Sequence, residues 1–131
     1  MAATRSGTAT RSSSALHADI PSDLAAALAG SLGIAPNANL NPEGGFPSMF
    51  EPIHGSAFDI AGPGIANPVG TFWTTCQMLE HLGEKPAAGR LMSVVARVTA
   101  DPALHTPDRG GTATTCAVTD AVIAAIRGDN G

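Results

Sequence analysis

The chain has 131 residues, a length that suits one domain with a single hydrophobic core. Its net charge of −4 at pH 7 argues against nucleic acid or an acidic membrane as a partner, because either needs a basic surface. No apolar run approaches the ~18 residues of a membrane helix, and Cys76 and Cys116 have neither CxxC nor metal-site spacing. The composition therefore favours a cytoplasmic protein with two small, buried thiols.

Residues 1–15, MAATRSGTATRSSSA, differ in composition from the rest of the chain. They contain Ser, Thr, Ala and Arg, with no acidic residue and no apolar period. This composition predicts a disordered tail. An organelle transit peptide is the alternative, because such peptides are rich in Arg and Ser and poor in acidic residues.

Residues 19–30 predict a helix, because Leu24 and Leu28 share one face of a helical repeat. The i, i+4 spacing of Asp19 and Asp23 brings two carboxylates side by side, where like charges repel by a few tenths of a kcal/mol. Mg²⁺ or Mn²⁺ would relieve that repulsion through hard oxygen ligands. The alternative is that Asp19 caps the helix and Asp23 is solvated near the helix N-terminus.

The next segments predict little regular structure. Residues 34–47 contain repeated Pro, Asn and Gly, which predict turns with at most a short strand near residues 38–40. Residues 49–53 predict a short buried strand. Further along the chain, residues 106–111 predict a turn.

Three later segments predict helices, because apolar residues recur there at helical spacing. The expected ends of these three helices are Gly83, the pair Asp101–Pro102 and Gly128. Gly128 is expected to be a C-terminal cap. The apolar positions are Phe72, Cys76, Leu79 and Leu82 in the first helix, Leu91, Val94, Val95 and Val98 in the second, and Val118, Val122 and Ile126 in the third.

The stretch FEPIHGSAFDIAGPGIANP, residues 50–68, is unusually rich in polar groups and glycine. Its pattern Gly62-x-Gly64-x-x-Asn67 is similar to the dinucleotide fingerprint GxGxxG. That fingerprint requires a preceding strand, a third small residue and a helix that begins at once. Here the third position is Asn67, which Pro68 follows, so the pattern does not predict a Rossmann site.

The same residues still suit a nucleotide. Gly55, Gly62 and Gly64 allow close approach of the backbone to a ligand and positive φ. His54 and Asn67 offer contacts to the edge of an adenine ring. The alternative is that these two side chains only tie the loop together through hydrogen bonds to the backbone.

Asp59 is the residue of this stretch that distinguishes between cofactors. Its carboxylate can accept hydrogen bonds from both ribose hydroxyls but would repel a 2′-phosphate. The sequence therefore favours NAD over NADP as the nucleotide.

Four segments together closely resemble the isocitrate/isopropylmalate dehydrogenase family. They are LHADIPSDLAAALAGSLGIAP, FPSMFEPIHGSAFDIAGPGIANP, MLEHLG and TPDRGGTATT, and the resemblance extends from about residue 16 to about residue 126. It implies an α/β fold in which residues 16–131 form the C-terminal part of an isopropylmalate dehydrogenase-like domain. Such a part would be rich in helix, with a few short strands.

The resemblance also implies an activity and its site residues. The activity is NAD-dependent oxidation, and decarboxylation, of a 2-hydroxy acid such as tartrate or D-malate, assisted by Mg²⁺ or Mn²⁺, in a homodimer. The words LHAD and PSMFEPIHGSAFDI favour the tartrate/D-malate branch, since isopropylmalate enzymes more usually read FGD and APD there. The implied metal ligands are Asp19 and Asp23, and the implied cofactor residues are His54, Gly55, Ser56, Ala57, Asp59 and Asn67.

The chain also departs from the family pattern. Pro21 stands where an apolar residue is usual, Pro63 where lysine is usual and Arg109 where leucine is usual. The resemblance covers only the C-terminal third, without the arginine cluster, tyrosine and lysine of family catalysis, so no catalytic residue is assigned. We therefore expect a truncated, inactive member, in which a truncated or frameshifted gene explains the aberrant composition of residues 1–15 better than a transit peptide does. The alternatives are an isopropylmalate dehydrogenase-type fragment and a non-catalytic module that pairs with a full-length relative.

Overall fold

The computed structural model describes residues 32–129. The metal pair Asp19 and Asp23, with the helix predicted for residues 19–30 and the tail of residues 1–15, lies outside the described residues. The described part contains two strands and three α-helices, with short 3-10 turns between them. These elements are β1 (Pro36–Asn39), β2 (Met49–Pro52), α1 (Val69–His81), α2 (Lys85–Ala100) and α3 (Thr115–Gly128).

The two strands form an antiparallel ribbon in which Ala38 pairs with Phe50. One further bond, from Ile53 N to Ala35 O at 3.1 Å, extends the ribbon toward the polar stretch. Both strands form where the sequence predicts them, but the expected burial of the second strand is wrong. Met49 and Glu51 are exposed, because α1 covers only one face of the ribbon and a strand turns alternate side chains to opposite faces.

The three predicted helices are confirmed, and two of them end where the sequence predicts. Gly83 follows α1 with φ +87°, and its N–H donates to Glu80 O at 3.1 Å, which closes the helix. At the end of α2, the Asp101 carboxylate accepts from Ala103 N at 2.9 Å and begins a new 3-10 turn. The third end is different: Gly128 is the last residue of α3, and Asp129 is the cap.

The core is built mainly from valine. Val94 on α2 is completely buried, and Val118 and Val122 on α3 are each 1% exposed. Buried valines recur at helical spacing on both helices, so α2 and α3 present apolar stripes to each other. The full buried cluster is Val69, Val94, Val95, Val98, Ala113, Val118 and Val122.

The two cysteines lie in different surroundings. Cys76 is buried on α1, where burial raises the pKa of its thiol, with a smaller contribution from the Glu80 carboxylate. Cys116 is exposed, so the expectation of two buried thiols is wrong for this residue. It lies in the first turn of α3, on the face opposite the valine stripe. Within residues 32–129, no helix has the length and apolar character needed to cross a bilayer.

Candidate functional site

A cleft of about 420 Å³ lies between the polar stretch and the turn of residues 106–111. This volume is within the range of ligand-binding clefts. Five of the six predicted cofactor residues line it: His54, Gly55, Ser56, Ala57 and Asn67. Most of the remaining wall is apolar and includes Ile60, Ile65 and Pro107. Asp108 also lines the cleft.

The first turn of α3 holds the polar stretch in place. Thr115 N donates to Gly64 O at 2.8 Å, and the Thr115 hydroxyl donates to Ala66 O. These bonds satisfy loop carbonyls that no sheet or helix would otherwise pair. The cleft is thus anchored to the helical core through a residue 49 positions away from Ala66 in the sequence.

The backbone of the stretch takes left-handed conformations at several positions. Gly62 and Gly64 have φ of +101° and +69°, as expected from glycine. Gly55 was expected to do the same and does not; Ala57 does instead, with φ 41° and ψ 58°. Ala57 can hold this costly conformation because its carbonyl accepts from Ile60 N at 3.0 Å, which closes a 3-10 turn over Phe58–Ile60.

Asn67 and Asp108 join the two walls of the cleft. Asn67 Nδ2 donates to Asp108 Oδ2 at 3.0 Å, and Asn67 Oδ1 accepts from Val69 N at 3.0 Å, at the start of α1. The amide of Asn67 therefore braces the carboxylate on one side and the helix on the other. His54 makes a local contact, with its Nδ1 3.1 Å from Gly55 O. These bonds are of the kind expected if both side chains tie the loop.

Asp59 lies outside the cleft lining. It is exposed and forms the middle of the 3-10 turn, between Phe58 and Ile60. The next residue in the sequence, Ile60, lines the cleft directly. The Asp59 side chain is open to solvent.

Asp108 is a site residue that the sequence analysis missed. The turn around it was predicted, but no spacing rule connects it with Asn67, which lies 41 positions earlier. The only available signal was the segment TPDRGG in the family resemblance. That segment places a carboxylate after proline in a turn and says nothing of its partner.

The charges around the cleft are few. Among the lining residues of the described part, none is Lys or Arg, and Asp108 is the carboxylate. Such a lining can accept hydrogen bonds from an amino group and cover an apolar ring, but it offers no lysine or arginine to a phosphate. Within residues 32–129, no group of three or more His, Cys, Asp or Glu could hold a metal ion.

Comparison with known protein families gives one match that covers most of the chain. The model of the isocitrate/isopropylmalate dehydrogenase family matches residues 12–126. The match includes both walls of the cleft and the segment that carries Asp19 and Asp23.

Curated relatives agree with that match. A protein of Agrobacterium vitis named "probable tartrate dehydrogenase/decarboxylase" is 73% identical over 115 residues, which are 88% of this chain and 32% of that relative. The D-malate dehydrogenase (decarboxylating) of Escherichia coli strain K12 is 48% identical over 112 residues, which are 82% of this chain and 31% of that relative. The chain thus spans about a third of the length of these relatives.

Solved structures agree as well. The crystal structure of isocitrate dehydrogenase from Methylococcus capsulatus superposes with a TM-score of 0.78 at 40% identity, covering 86% of this chain and 33% of that one. A β-decarboxylating dehydrogenase from Thermococcus kodakarensis gives a TM-score of 0.75 at 42% identity, covering 86% and 32%. The predicted fold class, a helix-rich part of this α/β fold, is therefore confirmed.

Proposed function

Because the chain belongs to the isocitrate/isopropylmalate dehydrogenase family, we propose that its cleft binds the adenosine half of NAD. The observation that carries this proposal is the pairing of Asn67 with Asp108 across a cleft whose walls are mostly apolar. Apolar side chains such as Ile60 and Ile65 cover the faces of an adenine ring. The Asp108 carboxylate accepts a hydrogen bond from its exocyclic amino group, and the ribose lies toward the rim at Asp59.

The affinity of such a site is modest. Among the lining residues of 32–129 none is Lys or Arg, so in this part of the chain the diphosphate of NAD would rely mainly on backbone groups and water. Burial of one adenine ring and a few hydrogen bonds corresponds to a Kd on the order of 0.1–1 mM. Binding is also less sensitive to salt than in a site that neutralises the phosphates.

The choice between NAD and NADP depends on Asp59. Its carboxylate accepts from the ribose hydroxyls and repels a 2′-phosphate, so we expect the chain to prefer NAD to NADP by about tenfold. The variant Asp59→Ala should narrow the preference to less than about threefold, as measured by calorimetric titration with both dinucleotides.

The matched control for that titration is Asp120→Ala, which removes an exposed carboxylate from α3 outside the cleft. It should leave the preference unchanged. Equal binding of NAD and NADP by the unchanged chain would contradict the role given to Asp59. If neither dinucleotide binds, the result contradicts the proposed function itself.

In the reaction proposed for the whole protein, a 2-hydroxy acid such as tartrate or D-malate is oxidised and loses carbon dioxide. Asp19 and Asp23 are the residues that would hold Mg²⁺ or Mn²⁺. When bound, NAD accepts a hydride and the divalent ion acidifies the substrate hydroxyl. The contribution of residues 54–67 and 106–111 is to bind and orient the nucleotide and to exclude water from the adenine.

We further propose that the 131-residue polypeptide alone does not catalyse this reaction. It contains no tyrosine, so it cannot supply the catalytic tyrosine that the family resemblance implies. General acid–base catalysis is worth roughly a hundred- to ten-thousand-fold in rate. The purified chain with NAD, Mn²⁺ and tartrate or D-malate should therefore give no increase in NADH absorbance, whereas a metal-dependent rate would refute this proposal.

A second candidate function is association with a longer family polypeptide, in the manner of the homodimer that the family resemblance implies. It is favoured by apolar side chains left open to solvent, since Phe46 is 80% exposed and Leu82 is 65% exposed. Co-expression with a full-length relative should then give a mixed oligomer on size-exclusion chromatography. Separate elution of the two proteins would count against it.

A further inference from the structure

Thr106 is a buried polar residue directly before the wall residues Pro107 and Asp108, and its side chain bonds to the Asp108 carboxylate. It is 1% exposed, and its hydroxyl donates to Asp108 Oδ1 at 2.5 Å. It begins the 3-10 turn Pro107–Arg109, yet its side chain does not cap that turn. A buried hydroxyl needs a partner, and here the partner is the carboxylate of the cleft wall.

Both oxygens of the Asp108 carboxylate are therefore held by side chains. Oδ1 accepts from the Thr106 hydroxyl, and Oδ2 accepts from Asn67 Nδ2 at 3.0 Å. The two donors come from different walls of the cleft, so together they fix the plane of the carboxylate. The terminal torsion of an aspartate is otherwise broad.

We propose that Thr106 is a positioning residue that makes the cleft selective for adenine over 6-oxopurines. This inference rests on the proposed function, since it concerns the base bound in the same cleft. A carboxylate can accept several hydrogen bonds at once, so bonds from protein side chains and from a ligand can be made by the same group. Held in a fixed plane, Asp108 accepts from the 6-amino group of adenine.

A 6-oxopurine such as hypoxanthine presents an acceptor at the same place. The Asp108 carboxylate then faces an oxygen of the base in a partly desolvated cleft, and no hydrogen bond forms between the two acceptors. When the Thr106 hydroxyl is removed, the carboxylate can rotate toward solvent and the penalty against the oxo group falls. The hydroxyl thus contributes to the choice of base, although it does not touch the nucleotide.

The test compares NAD with nicotinamide hypoxanthine dinucleotide, whose purine carries an oxo group in place of the 6-amino group and a proton on N1. We expect the unchanged 131-residue chain to bind NAD about tenfold more tightly, as measured by calorimetric titration. Thr106→Val is isosteric and lacks the hydroxyl, so it should reduce this ratio to less than about twofold. Thr106→Ser keeps the hydroxyl and should restore most of it.

The outcomes separate the two proposals. A Thr106→Val chain that keeps the tenfold ratio, or loses affinity for both dinucleotides equally, would show that Thr106 is only structural. An unchanged chain that binds both dinucleotides equally would overturn the base selectivity but leave the cleft a nucleotide site. Binding of neither would overturn both. Should the valine variant fail to fold, Thr106→Ala reports the same ratio, since it lacks the hydroxyl and is smaller.

Discussion

Replacement of Gly111 by alanine is expected to destabilise the chain by about 3 kcal/mol or more, a cost typical of severe overpacking. An added Cβ at this position would lie 1.9 Å from His105 O and 2.5 Å from the His105 carbonyl carbon. Both atoms belong to the backbone, so no rotation of a side chain can relieve the clash. The same carbonyl accepts from Ala113 N at 2.9 Å, and this bond must be broken or displaced.

The measurement for Gly111→Ala is thermal unfolding followed by circular dichroism, with an expected fall in Tm of about 10–20 °C. The matched control is Gly89→Ala on α2, where an added Cβ meets no atom within 4 Å. That variant should be as stable as the unchanged chain or more stable by about 0.5–1 kcal/mol, because alanine favours a helix. Equal Tm values for the two variants would contradict the packing of the 106–111 turn.

The second large effect is expected from Asp108→Asn, which keeps the shape of the side chain and removes its charge. A hydrogen bond to a charged acceptor contributes about 1.5–3 kcal/mol, so the loss should weaken binding of NAD by roughly ten- to a hundredfold. Fold stability should also fall, since an asparagine side chain has one acceptor oxygen whereas the carboxylate accepts from both Thr106 and Asn67. Calorimetric titration with NAD measures the effect.

The control for Asp108→Asn is Asp120→Asn, which removes the same charge from an exposed position on α3. It should bind NAD like the unchanged chain. If both variants bind equally well, the carboxylate of Asp108 does not contact the base and the proposed orientation of adenine in the cleft is wrong.

The helices were predictable because their signals are local. Val94, Val98, Val118 and Val122 repeat at helical spacing, and the same residues form the core of the structure. The end of α1 was predictable from Gly83 for the same reason. Gly128 was misassigned because a glycine near a helix end can be its last residue as readily as its cap.

The walls of the cleft were only partly predictable. His54, Gly55, Ser56, Ala57 and Asn67 are close in sequence, so their spacing and the family resemblance found them together. The contact of Asn67 with Asp108 joins residues 41 positions apart and depends on how the turn of residues 106–111 packs against the start of α1. No local pattern carries that information. No local pattern predicts, either, that Ala57 rather than Gly55 takes the left-handed conformation.

The metal ligands remain a prediction from sequence. Asp19 and Asp23 precede the described residues, and the described part contains no cluster of three or more candidate ligands. Their assignment rests on the i, i+4 spacing of two carboxylates and on the family resemblance. The proposed nucleotide site, in contrast, draws support from a cleft that five of its six predicted residues line.

The most direct test of the nucleotide cleft is an NMR titration of the ¹⁵N-labelled chain with ADP-ribose, which contains the adenosine half of NAD without nicotinamide. We predict saturable shifts of the backbone amides at residues 54–61 and 108, with amides in the middle of α2 unchanged. Shifts confined to the β1–β2 ribbon, or no shifts at millimolar ADP-ribose, would contradict the assignment of this cleft to the nucleotide.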